Sequence, residues 1–375
     1  MRRAVAHATT KMPVEDHLPL GRGQTELQVY VEATGHTVGG LFLDYWRANG
    51  AALVYGNPIS EPFLSADGYA SQAFENGVFQ YRPEFLYSEE PIVRLMPLGE
   101  RVATDTRKPG DVVTFGMLLG DESTPAALRD RPFIEDHEQK TIDDALTPWY
   151  ELHEGAFYLG QPRSRPVRER GAVAQWFEGG LLLADGDEGG ARLAPLAREL
   201  AASLEIDTTP VARGELPLFD EWLFLSAGNP DPHGDPAAPG RKRIEVNLGE
   251  QMIRAYQGQT LVTAPFVSTG IDPNGTNPGT YHIRLKYPVQ DMQGFTNATG
   301  EVLGFGEAPE GTIPYSVEDV PHVMYFNLEA EAFHGTYWHN NFGQKMSHGC
   351  VNLPLDVAAF LYGWAPMGTQ VVVHE

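Results

Sequence analysis

The stretch "HGTYWHNNFGQKMSHGC" runs from His334 to Cys350 and contains the residues that decide both the fold and the chemistry of the C-terminal part. It ends on the only cysteine of the chain and holds three of the twelve histidines. A cysteine attacks as the thiolate, and a histidine within hydrogen-bond reach can accept its proton. Two histidines are candidate bases: His348, two residues before the cysteine, and His334, which can arrive from a neighbouring strand.

Two glycines stand beside these groups. Gly335 follows His334, and a glycine lets a backbone carbonyl approach and orient an imidazole without a clash. Gly349 precedes Cys350 and frees backbone N–H groups to point at a developing oxyanion. The pattern therefore predicts a thiol acyl-transfer site. A cysteine peptidase or a thioesterase would use the same pair of groups, so the chemistry alone leaves the reaction open.

Two other interpretations of this stretch also stay open on chemistry alone. A lone cysteine is usually a small buried hydrophobe. The borderline and soft donors of this stretch can also bind zinc. The chain lacks the Cys-x-x-Cys and His-Glu-x-x-His spacings that are typical of zinc sites. The donors in question are His334, His339, His348 and Cys350.

Composition favours a mainly β protein of two or three domains. The 375 residues include 40 Gly and 29 Pro among short apolar runs, and 42% of them are hydrophobic, which is enough material for packed cores. The net charge of −23 argues against a nucleic-acid binder, because such proteins present basic patches.

The sequence predicts no transmembrane segment, because no stretch approaches the ~18 apolar residues of a membrane span. The start, "MRRAVAHATTKMPVEDHLPL", lacks the apolar core of a secretory signal. The chain is therefore either cytoplasmic or exported with a signal that was removed or lies upstream. A single cysteine cannot form an internal disulfide, so no disulfide framework indicates the compartment.

The N-terminal region, 1–227, contains an imperfect repeat, with units near 36–82 and 146–184. Each unit follows the pattern Gly-x-Pro-x-Ser-x-Pro, then Gln-(Ala/Trp)-Phe-Glu-x-Gly, which predicts a short helix and a hairpin around a small aromatic core. The pattern resembles the LGFP-type repeats of some cell-wall-associated bacterial proteins, and both a purely structural role and wall binding stay open. The aligned pairs are Gly56 and Gly160, Pro58 and Pro162, Phe74 and Phe177, and Gly77 and Gly180.

Three further elements are predicted in this region. Strands are expected in "PIVRLMPLGERV", from residue 91, and in "DVVTFGMLL", from residue 111. An amphipathic helix is expected over Gly189–Ile206, because four leucines recur there at spacings of three or four residues.

A Pro- and Gly-rich linker is predicted over 228–242, followed by a β domain over 243–375. Such a segment cannot bury enough surface to fold by itself. The following domain is expected to open with a three-strand meander. A strand in "GTYHIRLKY", a long lid or flexible insert at 288–320, a strand in "HVMYFNLEAEAFHG", a short helix in "LPLDVAAFLYGWA" and a closing strand in "GTQVVVHE" are then expected.

The segment "HGTYWHNNFGQKMSHGCVNL" closely resembles the active-site signature of L,D-transpeptidases with a YkuD-type catalytic domain. That signature has a histidine followed by Gly or Ser, a dozen or more residues, and then Ser/Thr-His-Gly-Cys-apolar-Asn/Arg. The flanks agree: "RIEVNLGEQMIRAYQGQTLVTAPFVSTG" resembles the opening meander of the family, and "TNPGTYHI" and "GTQVVVHE" resemble later strands. The resemblance runs from about Arg243 to Glu375 and implies a β-sandwich with short helices, preceded here by an α+β region.

The resemblance also implies roles for individual residues. Cys350 would be the nucleophile, His334 its general base, and Gly335 would orient the histidine through its carbonyl. Ser347, His348 and Gly349 would shape the oxyanion pocket. Three residues would contact substrate, namely Asn352, Tyr315 and Trp338.

The implied enzyme is an aminoacyltransferase, with no metal and no organic cofactor. It would form a Cys thioester with a peptidoglycan tetrapeptide stem, release D-alanine and pass the acyl group to an amine as a 3→3 crosslink. Such an enzyme would act in the cell wall outside the cytoplasmic membrane, support cell shape and be a carbapenem target. An L,D-carboxypeptidase or cysteine peptidase, and a catalytically silent wall-binding protein, are the alternatives.

Overall fold

The computed structural model describes residues 27–99, 141–169, 172–185 and 190–375. The strand predicted in "DVVTFGMLL" lies outside these residues. The described N-terminal part contains two four-stranded sheets and one hairpin. The hairpin pairs β1 (Gln28–Val31) with β2 (His36–Gly39). One N-terminal sheet contains β3 (Phe63–Leu64), β4 (Ala70–Ala73), β5 (Val78–Tyr81) and β6 (Val93–Leu95). The other contains β7 (Val167–Glu169), β8 (Ala172–Trp176), β9 (Leu181–Asp185) and β10 (Ala191–Leu193).

Short helices precede each of the two sheets, as the repeat pattern predicts. The first pair is α1 (Gly40–Ala48) and α2 (Ala51–Tyr55), and the second is α3 (Thr147–Leu152) and α4 (Gly155–Tyr158). A 3₁₀ turn, Pro83–Phe85, lies between β5 and β6.

Equivalent residues of the two units make equivalent contacts. The bridge between Pro58 and Phe74 has its counterpart between Pro162 and Phe177. Both phenylalanines are fully buried, and the backbone N–H of each donates to the carbonyl of the matching glycine at 2.8 Å. The repeated sequence thus corresponds to a repeated hydrogen-bond pattern around one buried aromatic ring.

The prediction of one helix over Gly189–Ile206 is largely wrong. Residues Ala191–Leu193 form β10, which pairs with β9, and only Leu196–Leu200 form a helix, α5. Pro195 lies immediately before this helix, and proline has no N–H to continue a longer one. The leucine spacing marks a buried apolar face, but sheet pairing determines the backbone of its first part.

The C-terminal part is a sandwich of two five-stranded sheets, which confirms the mainly β prediction. The first sheet has the order β13-β12-β11-β20-β14. It contains β11 (Lys242–Asn247), β12 (Met252–Gln257), β13 (Thr260–Thr263), β14 (Gly279–His282) and β20 (Gln370–His374). The predicted meander is β11, β12 and β13, and buried residues alternate with half-buried ones along β11 because side chains of a strand point to alternate faces.

The second sheet has the order β16-β15-β17-β18-β19, and the stretch from His334 to Cys350 lies at its β18–β19 edge. Its only parallel pair is β18 with β19. Apolar residues of both sheets share one core with helix α6 (Leu355–Trp364). The strands are β15 (Leu285–Thr296), β16 (Val302–Phe305), β17 (Ile313–Tyr325), β18 (Ala332–Gly335) and β19 (Val351–Leu353).

Two strand predictions need correction, because in each case one predicted strand is two. "GTYHIRLKY" divides into β14 and the start of β15, since the chain passes from one sheet to the other at this point. Ile283 N donates to Thr369 O at 2.9 Å and Arg284 N donates to Tyr325 O at 2.9 Å. "HVMYFNLEAEAFHG" contains the end of β17, a turn and then β18.

The segment 288–320 is mostly strand, although its composition predicted a lid or flexible insert. β15 and β17 pair along most of their length, with a register shift between Gln290 and Met292, and β16 adds a third strand. Backbone pairing satisfies the polar groups regardless of side-chain composition. We call 285–325 the arm.

The segment predicted as a linker is fastened to the C-terminal sandwich. Its residues form turns, and only its last residue, Lys242, belongs to a strand. His233 N donates to Val262 O at 3.0 Å, and Trp364 Nε1 donates to Pro236 O at 3.1 Å. The turns therefore follow the surface of the sandwich.

Glu154, at the start of α4, joins the N-terminal part to the sandwich. Its carboxylate accepts hydrogen bonds from His282 at 3.0 Å and from Gln370 at 2.6 Å, and it pairs with Arg241. Burial alone would raise the pKa of Glu154, but the hydrogen bonds and charges of His282 and Arg241 outweigh it and lower the pKa to about 2. The carboxylate thus stabilises the folded state in full at pH values above 4.5, its ordinary pKa. This contribution is lost as the pH falls through the lowered pKa.

Substituting Glu154 by Ala leaves Arg241 buried without its partner. We expect the free energy of unfolding at pH 7 to fall by about 3–5 kcal/mol, measured by urea denaturation. Glu151→Ala, an exposed glutamate one turn earlier, is the matched control and should change stability by less than about 0.5 kcal/mol. Equal effects of the two substitutions would contradict the role given to Glu154.

Candidate active site

The parallel pair β18–β19 brings the predicted nucleophile and base to one cavity. In this pair His334 lies opposite Asn352. Cys350 lies in the bend that leads directly into β19.

Both side chains line one cavity of about 510 Å³. Strands of the second sheet line it, and the arm, which is part of that sheet, contributes Tyr315 and Phe305. The loop that follows β18 supplies Trp338, whose ring stacks on His334 at a centroid distance of 5.6 Å. The cavity is large enough for a peptide side chain and the backbone beside it.

The His334 ring is oriented by the carbonyl of the next residue. Its Nδ1 lies 3.2 Å from Gly335 O, so Nδ1 carries the proton and donates, and Nε2 is left to accept one. His334 is only 3% exposed. Burial lowers the pKa of His334 to about 4, although the hydrogen bond to Gly335 acts in the opposite direction. The imidazole is therefore neutral at physiological pH.

The Cys350 thiol is also neutral at rest. The residue is half-buried, and its Sγ lies 4.0 Å from Ala330 O. Burial raises the pKa of Cys350 to about 11, and the charge of Glu331 acts in the same direction. The resting site therefore contains a neutral thiol and a neutral base.

Ser347 and Gly349 brace the turn that presents the cysteine. The Ser347 hydroxyl donates to Cys350 O and accepts the N–H of Gly349 at 3.2 Å. This N–H is thus engaged within the turn and is not free for an oxyanion in this state. Gly349 has a φ of +123°, a conformation that favours glycine.

The remaining predicted residues lie around the mouth of the cavity. His348 is exposed and stacks on Tyr315, with ring centroids 5.3 Å apart. Asn352 is 2% exposed, and its side-chain nitrogen lies 2.9 Å from Nε2 of His339. Asn352, Tyr315 and Trp338 line the cavity, as do Ser347 and His348. Gly335 and Gly349 do not line it and contact the site through their backbone. Their roles stay predictions.

Sequence reasoning missed two groups behind the cysteine turn. Thr276 Oγ1 donates to Gly349 O at 2.6 Å and accepts Gly270 N at 2.9 Å. Glu331 is buried at 6% exposure and lines the cavity. The sequence held one signal for the latter, a glutamate three positions before the histidine, between two alanines.

Two further features are absent from the described ranges. No group of three or more His, Cys, Asp and Glu side chains is arranged there to hold a metal ion. Among the helices of the same ranges, none is long and apolar enough to cross a bilayer.

Residues 241–373 match the family model of the L,D-transpeptidase catalytic domain, YkuD. This match confirms the resemblance seen in the C-terminal sequence and supports an L,D-transpeptidase. The LGFP-type resemblance of the N-terminal repeats stays a prediction. A search of curated proteins found no match.

Solved L,D-transpeptidases are similar to parts of this chain. The catalytic domain of the Enterococcus faecium enzyme acylated by ertapenem is 25% identical, with 36% of this chain and 96% of that chain covered and a TM-score of 0.29. The Mycobacterium smegmatis enzyme is 15% identical, with coverages of 57% and 89% and a TM-score of 0.31. L,D-transpeptidase 3 from Mycobacterium tuberculosis is 13% identical, with coverages of 56% and 78% and a TM-score of 0.31. At these TM-scores the similarities carry no argument about function.

Proposed function

We propose, from the L,D-transpeptidase catalytic domain that residues 241–373 match, that this protein is a peptidoglycan L,D-transpeptidase whose nucleophile is Cys350 and whose general base is His334. One observation carries the assignment of roles: β18 and the bend before β19 bring the imidazole and the thiol into the lining of the same cavity. The orientation of the ring, with Nδ1 at the Gly335 carbonyl, supports Nε2 as the atom that accepts the proton.

The first half of the reaction forms a thioester. The Cys350 thiol gives its proton to His334 Nε2 as the sulfur attacks the carbonyl carbon between the L-centre of the stem diamino acid and the terminal D-alanine. The tetrahedral intermediate collapses with cleavage of the C–N bond. The imidazolium returns the proton to the departing amine, so D-alanine leaves neutral at nitrogen and the acyl group stays on sulfur.

The second half transfers the acyl group. A neutral side-chain amine of a second stem attacks the thioester, and His334 takes a proton from that nitrogen. The C–S bond breaks, and the Cys350 thiolate leaves and receives the proton from the imidazolium. The product is a 3→3 crosslink. Water as the acceptor would give a shortened stem instead, which is the carboxypeptidase alternative.

The resting charge state limits how the first step can run. With the pKa of Cys350 raised to about 11 and that of His334 lowered to about 4, transfer of the proton before attack is strongly unfavourable. Proton transfer therefore accompanies attack, and a substrate that brings a partial positive charge or hydrogen-bond donors to the sulfur favours it.

The arm acts in this proposal as the cover of the bound stem. Residues of its strands and tip line the cavity, including Tyr315 and Phe305. A cover of this kind excludes water and orients the donor stem, which favours transfer over hydrolysis.

The proposed location follows from the proposed substrate. Peptidoglycan stems lie outside the cytoplasmic membrane, so we assign the enzyme to the cell envelope and the N-terminal repeats to a contact with wall glycan. Failure of the intact Cys350→Ala protein to sediment with purified cell walls would remove the wall-binding role.

Substitution of the two central residues should separate the reactions that the site can perform. With tetrapeptide muropeptides, we expect a crosslinked dimer that lacks one D-alanine, detected by mass spectrometry. Cys350→Ala should abolish the product because no acyl carrier remains, and His334→Ala should slow it by about 10²–10⁴-fold.

The matched control for this experiment is His233→Ala, which changes a half-exposed histidine that does not line the cavity and should leave the rate unchanged. Shortened stems alone would identify a hydrolase. Absence of any product from the wild-type protein would contradict catalysis altogether.

Deletion of the end of the arm tests whether the arm covers the bound stem. Deletion of Gly294–Thr312 should slow acylation of Cys350 by a carbapenem about tenfold or more, as followed by intact-protein mass spectrometry. Phe305→Ala should reproduce part of this loss because Phe305 lines the cavity. Leu303→Ala, two residues earlier on β16 and equally exposed but outside the lining, is the control. An unchanged acylation rate after the deletion would count against a covering role.

A further inference from the structure

Glu331 is a buried carboxyl group beside the proposed nucleophile, and the reaction described above does not use it. It lies immediately before β18, is 6% exposed and lines the same cavity as Cys350. A buried carboxylate is costly unless it is hydrogen-bonded or paired with a cation. Its contacts therefore indicate what it does.

The carboxylate joins two segments of backbone. Asn277 N donates to Oε1 at 3.0 Å, and Asn327 Nδ2 donates to Oε2 at 2.6 Å. The turn is closed from the other side, because Glu331 N donates to Asn327 Oδ1 at 2.9 Å and Phe326 N donates to Glu331 O at 3.1 Å. The turn between β17 and β18 is thereby tied to the segment that precedes β14.

The third segment in contact is the cysteine turn itself. A Cβ added to Gly349 would lie 3.4 Å from Glu331 Oε1, so the carboxylate packs directly against this glycine. The carbonyl of the preceding residue, Ala330, is the group that lies 4.0 Å from Cys350 Sγ. Glu331 thus contacts the glycine that precedes Cys350, and the residue before Glu331 contacts the Cys350 sulfur.

No cation offsets the charge of this group within the described ranges. The groups that face it are Cys350 from the cysteine turn, Glu329 from its own turn and Tyr281 from β14. Burial raises the pKa of Glu331 to about 7, although the bonds from Asn277 and Asn327 act in the opposite direction. The group therefore changes charge close to neutral pH.

We propose that Glu331 is a positioning residue that holds the Gly349–Cys350 turn in place and, in its ionised form, opposes formation of the thiolate at Cys350. Below neutral pH the carboxyl group is protonated and this opposition is absent. As the pH rises through neutrality the carboxylate forms, and a second negative charge on the nearby sulfur becomes less favourable. The nucleophile thus stays a thiol, which resists oxidation, until His334 removes the proton during attack.

This inference rests on the proposed function only in naming Cys350 as the nucleophile, and its test requires no peptidoglycan. The rate of Cys350 alkylation by iodoacetamide is measured from pH 5 to pH 11 in the full chain, since the thiolate is the species that reacts. Glu331→Gln removes the charge at nearly constant volume. We expect the apparent pKa of Cys350 to fall by about one unit, which makes alkylation about tenfold faster at pH 8.

Glu310→Gln is the charge control, because Glu310 is exposed and does not line the cavity, and exposed charges are screened by solvent. Its profile should follow that of the wild type. An unchanged alkylation profile in folded Glu331→Gln protein, as judged by circular dichroism, would overturn the proposal.

A measurement on the wild type covers the case in which this variant does not fold, since one amide cannot accept both hydrogen bonds. If Glu331 titrates beside the sulfur, the logarithm of the alkylation rate must rise with a slope below one between about pH 6 and 8. A slope of one throughout this interval would overturn the proposal. Loss of muropeptide crosslinking with the expected alkylation profile would refute only the proposed transpeptidase function.

Discussion

The pairing of β18 with β19 is the constraint on which the rest of the site depends. It is a parallel contact at the edge of an otherwise antiparallel sheet. A slip of one residue would turn Asn352 to the opposite face from His334 and displace the cysteine turn that leads into β19. The register is fixed by apolar residues on the other face, since Phe333 and Val351 lie opposite each other and are fully buried in the sandwich core. Core packing thereby determines which side chains enter the cavity.

Burial gives this site its resting chemistry. A thiol and an imidazole that are both withdrawn from water are both stabilised in their neutral forms, and Glu331 adds to this effect at the sulfur. In the proposed mechanism Cys350 rests as a thiol, the less reactive form of cysteine, and attack must be coupled to proton transfer. The oriented His334 ring, the braced cysteine turn and the proposed cover by the arm favour that step by fixing geometry in advance.

The sequence predicted which residues meet at the cavity better than it predicted their charge states. Cys350, His334 and Gly335 were identified because their residue types and spacing form a specific signature, and the meander after residue 242 was identified from its alternation. The arm was missed because its Gly, Pro and Asn content suggests a loop, whereas long-range pairing of β15 with β17 determines its backbone. Glu331 and Thr276 were missed because their contacts join segments that are far apart in the chain. The neutral forms of Cys350 and His334 depend on burial of both side chains, which no short motif specifies.

The protonation state of the two central groups tests the account most directly. In protein labelled with ¹³C at cysteine Cβ and histidine Cε1, NMR titration should show Cys350 as a thiol up to about pH 10 and His334 neutral down to about pH 4, in line with the shifted pKa values near 11 and 4. A Cys350 thiolate paired with a charged His334 at pH 7 would contradict the account.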